Sequence, residues 1–257
     1  MRALRIVKIG GSIATIKGSN VPALRRERLR KMAKIFAEYQ SPLILILGAG
    51  SFGHPLAKKY QLKAGLAKEK KGIVQWKGAL ETHNSVAKLV HEVADIFLQE
   101  GLPVFPLSPA VIMNNGVINI SILQQILANG LIPLLHGDVI FDEEKGVKIY
   151  SGDTLAPDLA RLMGAEEIHY ITRGAGVLRS GKTVEKLTRA EVKKLVSGKI
   201  DEENLESVYV DVTGGFQGKL RECIAFVPPA GIYIYDGTSM ESVEKGFLEK
   251  VGGTLIF

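Results

Sequence analysis

The sequence predicts an α/β fold, a mainly parallel sheet with helices on both faces, because short apolar runs alternate with longer amphipathic segments throughout the chain. A second observation agrees: glycine-rich turns follow successive apolar runs, as they do where strands hand over to helices. The expected strands are residues 4–9, 43–47, 102–107, 131–136, 167–172 and 231–235, each of strand length and mostly apolar. Pro22 is expected to open a helix over 23–39, and a longer helical pattern fills 73–99. Asn115-Gly116 predicts a hairpin between 111–113 and 117–120, and 143–146 a second between 139–141 and 147–150, both expected at the sheet edge. The charged stretch 198–204 reads as a loop.

Length and composition bound the rest. At 257 residues the chain buries a full core as one domain, with approximate lobes 1–165 and 166–257. A single cysteine, Cys223, excludes an intramolecular disulfide and a cysteine-built metal site, which suits a reducing cytoplasm. The first residues are too quickly broken by glycine for a signal peptide, and no run of 18 apolar residues occurs, so neither export nor a membrane is expected. The net charge of +6 is dispersed among 27 acidic residues instead of clustering with aromatics, which argues against nucleic acid and for small anions.

The chemistry concentrates in four glycine turns. Lys8 precedes Gly10, Gly11 and Ser12, and Gly48-Ala49-Gly50-Ser51 leads into Phe52-Gly53-His54-Pro55. Turns without side chains expose backbone N–H groups to an anion, and turns at the carboxyl ends of neighbouring parallel strands share one crevice. Ser151-Gly152-Asp153 is the third turn, where Asp153 either caps the following helix or organises lysines. Asp211-Val212-Thr213-Gly214-Gly215, followed by Lys219, is the fourth. Phosphoryl transfer between two phosphates needs fixed cations more than a nucleophile, and Lys8, Lys17 and Lys219 are the candidates. A phosphate acceptor is already a competent anion, so His54 reads as a donor that holds it and not as a general base. One rival pattern competes: residues 176–183 match the P-loop signature GxxxxGK[ST], though Leu178 and Ser180-Gly181 read more as a small β-ribbon.

Together KIGGS at 8–12, GAGSFGHP at 48–55, HGD at 136–138, SGD at 151–153 and DVTGG at 211–215 resemble the amino acid kinase superfamily, and within it the isopentenyl phosphate kinases. That resemblance implies a three-layer αβα sandwich, a homodimer, ATP with its Mg2+ carried on the nucleotide, and a phosphate monoester as acceptor. It implies that Lys8, Lys17 and Lys219 act on the transferred group, that Asp153 positions the lysines, and that Gly48, Ala49, Gly50, Ser51, Gly53 and His54 hold the acceptor phosphate beside Gly137 and Asp138. The acceptor tail would lie against Trp76, Leu80 and His83, which share a helix face. Nucleotide contacts would come from Gly10, Gly11, Ser12, Thr172, Arg173, Gly176, Val177, Gly214 and Gly215. Where relatives commonly read TDVDGV, this chain reads Thr172-Arg173-Gly174-Ala175-Gly176-Val177, losing both acids. A fosfomycin-phosphorylating kinase and a nucleotide sensor without turnover are the alternative readings.

Overall fold

The computed structural model describes residues 3–16, 21–67, 71–114, 116–179, 182–197 and 215–257. In chain order these form β1 (Arg5–Ile9), α1 (Gly11–Ala14), β2 (Thr15–Ile16), β3 (Ala23–Leu24), α2 (Arg26–Ala37), β4 (Leu43–Leu47), α3 (Gly50–Lys59) and α4 (Lys71–Gln99). Next come β5 (Val104–Pro106), α5 (Pro109–Ile112), β6 (Met113–Asn114), β7 (Val117–Ile118), α6 (Ser121–Ala128), β8 (Ile132–His136), β9 (Asp138–Asp142), β10 (Gly146–Tyr150) and α7 (Gly152–Met163). The carboxyl-terminal part holds β11 (Glu167–Thr172), β12 (Leu178–Arg179), β13 (Lys182–Thr183), β14 (Lys186–Leu187), α8 (Arg189–Val196), α9 (Gly215–Cys223), β15 (Ile232–Asp236), α10 (Met240–Glu244) and β16 (Thr254–Ile256).

Eight strands make one sheet in the order β14-β16-β15-β11-β1-β4-β8-β5. The run from β15 to β5 is wholly parallel, and only β16 pairs antiparallel to its neighbour β15. All five residues of β1 and of β4 are buried because the sheet is covered on both faces. Val7, Ile9, Leu45 and Leu47 face α2, α4 and α10 through Leu29, Val90 and Val243. Ile6, Ile44 and Ile46 face α6 to α9 through Leu123, Leu159, Val192 and Leu220. The three-layer αβα sandwich follows from this two-sided alternation, each fully buried aliphatic side chain contributing about 1.5–3 kcal/mol.

Three expectations are corrected. Helix α2 starts at Arg26, not after Pro22, because Ala23–Leu24 pairs with Thr15–Ile16 and the Arg25 amide bonds Ala14 O at 2.9 Å. Residues 111 and 112 are helical, since Ser108 caps α5 by accepting from the Ala110 amide. Both hairpins form two-stranded sheets of their own and do not extend the main edge. The rival P-loop pattern falls and the β-ribbon expected there forms, because Leu178–Arg179 pairs antiparallel with Lys182–Thr183 and the next element is the strand Lys186–Leu187. The 198–204 loop lies outside the described residues.

At the amino ends of the strands, Arg5 Nη2 lies 2.7 Å from Glu167 Oε2, His169 Nε2 bonds the same oxygen at 3.0 Å, and Lys250 pairs with Oε1. Burial pushes the fully buried His169 down to about 4, whereas for Glu167 the opposing effect of burial is outweighed by the bonds from His169 and Lys250, to about 2. Both folded-state values lie below the unfolded ones, so the unfolded chain takes up protons first as pH falls, and stability present above pH 6.5 is lost on the way to 4. The expected loss is on the order of 2–3 kcal/mol from His169, seen as a falling urea midpoint between pH 7 and 4.5. A flat midpoint over that window, or an equally steep one in a His169→Gln variant, refutes this account.

Candidate active site

Parallel strands β1, β4, β8, β11 and β15 release their carboxyl ends at one edge, and the glycine turns collect there. The first two turns cross in contact. A Cβ on Gly11 would lie 2.4 Å from the Gly50 amide nitrogen, and one on Gly48 would lie 2.5 Å from the Gly11 nitrogen, so neither position admits a side chain. Thr15 Oγ1 staples the pair, donating to Gly11 O at 2.7 Å and accepting from the Ser51 amide at 3.0 Å. Gly50 sits at φ +51°, a left-handed conformation that suits glycine. It opens α3, whose Ala49 N-cap makes no side-chain hydrogen bond, so of the first amides of the helix Ser51 is taken up by Thr15 Oγ1 from outside the helix. His54 lies on the following turn of α3 and is exposed, while Gly53 packs against Ala49 and Val86 of α4.

Lys8 is 3% exposed at the end of β1, and its Nζ lies 2.6 Å from Asp153 Oδ1. Gly152 lies beside it, where a Cβ would stand at an ordinary contact distance of 3.5 Å from Lys8 Cε and closer, at 3.1 Å, to Ile46. Ser151, not Asp153, caps α7, with its Oγ accepting from the Thr154 amide at 3.1 Å. The cap alternative for Asp153 therefore falls, and its carboxylate is directed at Lys8.

Asp138 is placed differently from the expectation that it borders an acceptor. Its side chain is fully buried and accepts from His83 Nδ1 at 2.9 Å, Ser108 Oγ at 2.7 Å and the Val139 amide at 2.7 Å. It therefore orients His83, whose ring is partly exposed. Gly137 stays at the strand end, its amide bonding Leu47 O at 3.0 Å. His136 is buried, and burial presses its pKa below the ordinary value. Trp76 and Leu80 are exposed on α4, and the Trp76 ring lies 6.2 Å from that of Phe141 on the β9–β10 hairpin, an apolar flank beside His83.

On the β11 side, Thr172 O accepts the Gly237 amide at 2.7 Å, and Arg173 is exposed. The Val177 amide donates to Thr254 Oγ1 at 2.9 Å, its carbonyl accepts from the Val184 amide at 2.8 Å, and its side chain is buried in the core. Gly10 bonds Ile171 O at 2.8 Å, and Ser12 lies in α1. Lys17 and Gly214 lie outside the described residues; Gly215 begins α9, whose backbone includes Lys219, while the Lys219 side chain also lies outside them. Sequence reasoning missed Thr15, Asp236 and Tyr170, whose hydroxyl donates to Asp153 O at 3.2 Å. Only the folded contacts, between residues far apart in the chain, reveal them.

The sequence profile of the amino acid kinase family matches residues 3–235. The isopentenyl phosphate kinase of Methanothermobacter thermautotrophicus is 32% identical over 263 aligned residues, covering 98% of each chain. That of Methanocaldococcus jannaschii is 30% identical over 275 aligned residues, again 98% of each. Among solved structures, an X-ray structure of isopentenyl phosphate kinase superposes with a TM-score of 0.81 at 25% identity, over 99% of this chain and 100% of the other.

Proposed function

The chain belongs to the amino acid kinase family, within it to the isopentenyl phosphate kinases, and from that membership we propose that it transfers the γ-phosphoryl group of ATP to isopentenyl phosphate, giving isopentenyl diphosphate and ADP. The observation that carries the reading is the crossing of the two glycine turns beside Lys8, which gathers oriented amides and a buried ammonium at one strand edge. The acceptor phosphate sits at the start of α3, held by Ala49, Gly50 and His54, with Gly48, Ser51 and Gly53 shaping the turn. Its attacking oxygen is already anionic, so no base is required. The ammonium of Lys8, aimed by Asp153, balances charge spread over the equatorial oxygens of the group in flight. Lys17 and Lys219 are assigned to the same group on family membership.

The acceptor tail runs along Trp76, Leu80 and His83, and the donor takes the 166–257 side through Gly10, Gly11, Ser12, Thr172, Arg173, Gly176, Val177, Gly214 and Gly215. We assign Mg2+ to the nucleotide's phosphates, as family membership implies. Membership also supports a cytoplasmic homodimer; among the described residues no helix is long and apolar enough to cross a membrane.

Phosphorus NMR of the protein with Mg-ATP and either isopentenyl phosphate or fosfomycin tests the reading. New diphosphate resonances are expected with isopentenyl phosphate, and their absence there overturns it. Replacing His54 by Ala is expected to lower kcat/KM for the acceptor about 10- to 100-fold, the worth of one hydrogen bond to a charged group. Unchanged kinetics remove His54 from the phosphate site.

A further inference from the structure

Helix α2 begins with cations at the end of a helix that favours anions. Arg25 is its N-cap, without a side-chain cap bond, and Arg28 stands in its first turn. Their neighbour Arg26 is paired with Glu92 across to α4, but Arg25 and Arg28 lean the other way, onto the strand edge. Arg25 Nε donates to Thr15 O at 3.2 Å, and Arg28 Nη2 lies 3.5 Å from Thr238 O. The loop that receives Arg28 is built on Asp236 at the end of β15. Its carboxylate accepts from the Gly174 amide at 3.2 Å, the Thr238 amide at 2.9 Å and Thr238 Oγ1 at 2.6 Å. Arg173 precedes Gly174 in the same loop; its exposed guanidinium has no hydrogen-bond or ion-pair partner among the described residues.

Arg25 and Arg28 are thus held at this edge, with Arg173 in the adjoining loop after β11, and the Asp236 carboxylate there is bonded to neutral donors. Burial, then the Arg25 charge, lowers the Arg28 pKa; Asp236 opposes this and Arg173 adds to it, so the groups share one field. The surplus of two positive charges repels itself in the isolated protein, and a polyanion relieves it. The position is the mouth between the ends of β11 and β15, where Gly237 packs against Ile13 of α1 next to the Gly10–Gly11 turn.

We propose that Arg25, Arg28 and Arg173 form a guanidinium clamp for the polyphosphate chain of the phosphoryl donor. The proposal rests on the kinase reading and extends it, with guanidinium groups meeting phosphate oxygens at the loops that follow β11 and β15. A nucleoside triphosphate and free tripolyphosphate offer the clamp the same chemistry, and its test separates them.

Calorimetric titration without acceptor compares ATP, AMP and tripolyphosphate on the wild type and on Arg28→Gln, Arg173→Gln and Arg30→Gln. The clamp variants are expected to weaken ATP about tenfold each, to leave AMP within twofold and to flatten the salt dependence of ATP binding. Arg30, which pairs with Glu27 and Glu100, serves as the control and leaves all three ligands unchanged. Weakening of ATP with no effect on tripolyphosphate assigns the clamp to an intact nucleotide; parallel weakening of both assigns it to the phosphate chain. Unchanged ATP affinity in both clamp variants, or an equal loss for AMP, overturns the proposal. Arg173 is exposed, so its variant keeps the fold, and Arg173→Lys is expected to recover only part of the affinity. Because no acceptor is present, failure of isopentenyl phosphate as substrate leaves this result standing, and failure of the clamp leaves the NMR assay untouched.

Discussion

Replacing Lys8 by Met is expected to lower kcat about a thousandfold with the fold intact, the upper range for losing a preorganised charge donor from a water-poor site. The side chain is buried and held at 2.6 Å from Asp153, so its position is fixed before substrate arrives. Methionine keeps the stem as far as the ε position and removes the ammonium. Asp153→Asn, which keeps shape but loosens the pairing, is expected to fall between wild type and Lys8→Met, with most of its loss in kcat. Binding of the acceptor alone changes little in both variants, because His54 and the start of α3 are untouched. A Lys8→Met protein within threefold of wild-type kcat removes Lys8 from the reaction.

The parallel core was legible because each strand is an apolar run closed by a turn signal. Arg5–Ile9 and Leu43–Leu47 needed only local pattern, since both faces of the sheet are covered. The short strands β14, at the sheet edge, and β16 beside it were not legible: two or three residues carry no periodicity, and pairing, as between Leu187 and Ile256, defines them. In the site, KIGGS and GAGSFGHP announced two turns, but nothing local says that Gly11 and Gly50 touch. Nor does anything local say that His83 from α4 and Ser108 from the loop before α5 close over the Asp138 carboxylate, or that the fold brings Arg28 to Thr238.

Gly11→Ala is expected to cost both stability and turnover. Its Cβ would stand 2.4 Å from the nitrogen and 2.6 Å from the Cα of Gly50, both backbone atoms that no rotamer change can move aside. The two turns must separate, which breaks the Thr15 staple to Gly11 O and the Ser51 amide and moves the start of α3 away from Lys8. Overpacking of this kind costs about 1–3 kcal/mol or more in stability, and a displacement of about 1 Å at a reacting centre costs about a hundredfold in rate. The expected result is therefore a lowered melting temperature together with a loss of kcat/KM of at least about a hundredfold. Gly130→Ala supplies the contrast. That glycine also has a positive φ, of +72°, but no atom within 4 Å of the added methyl, so it should lose about 1–2 kcal/mol from backbone strain with activity unchanged. If the two variants lose stability equally and both keep full activity, the crossing of the glycine turns is a folding detail. If only Gly11→Ala loses turnover, the contact between the turns is what holds the acceptor phosphate in line with Lys8.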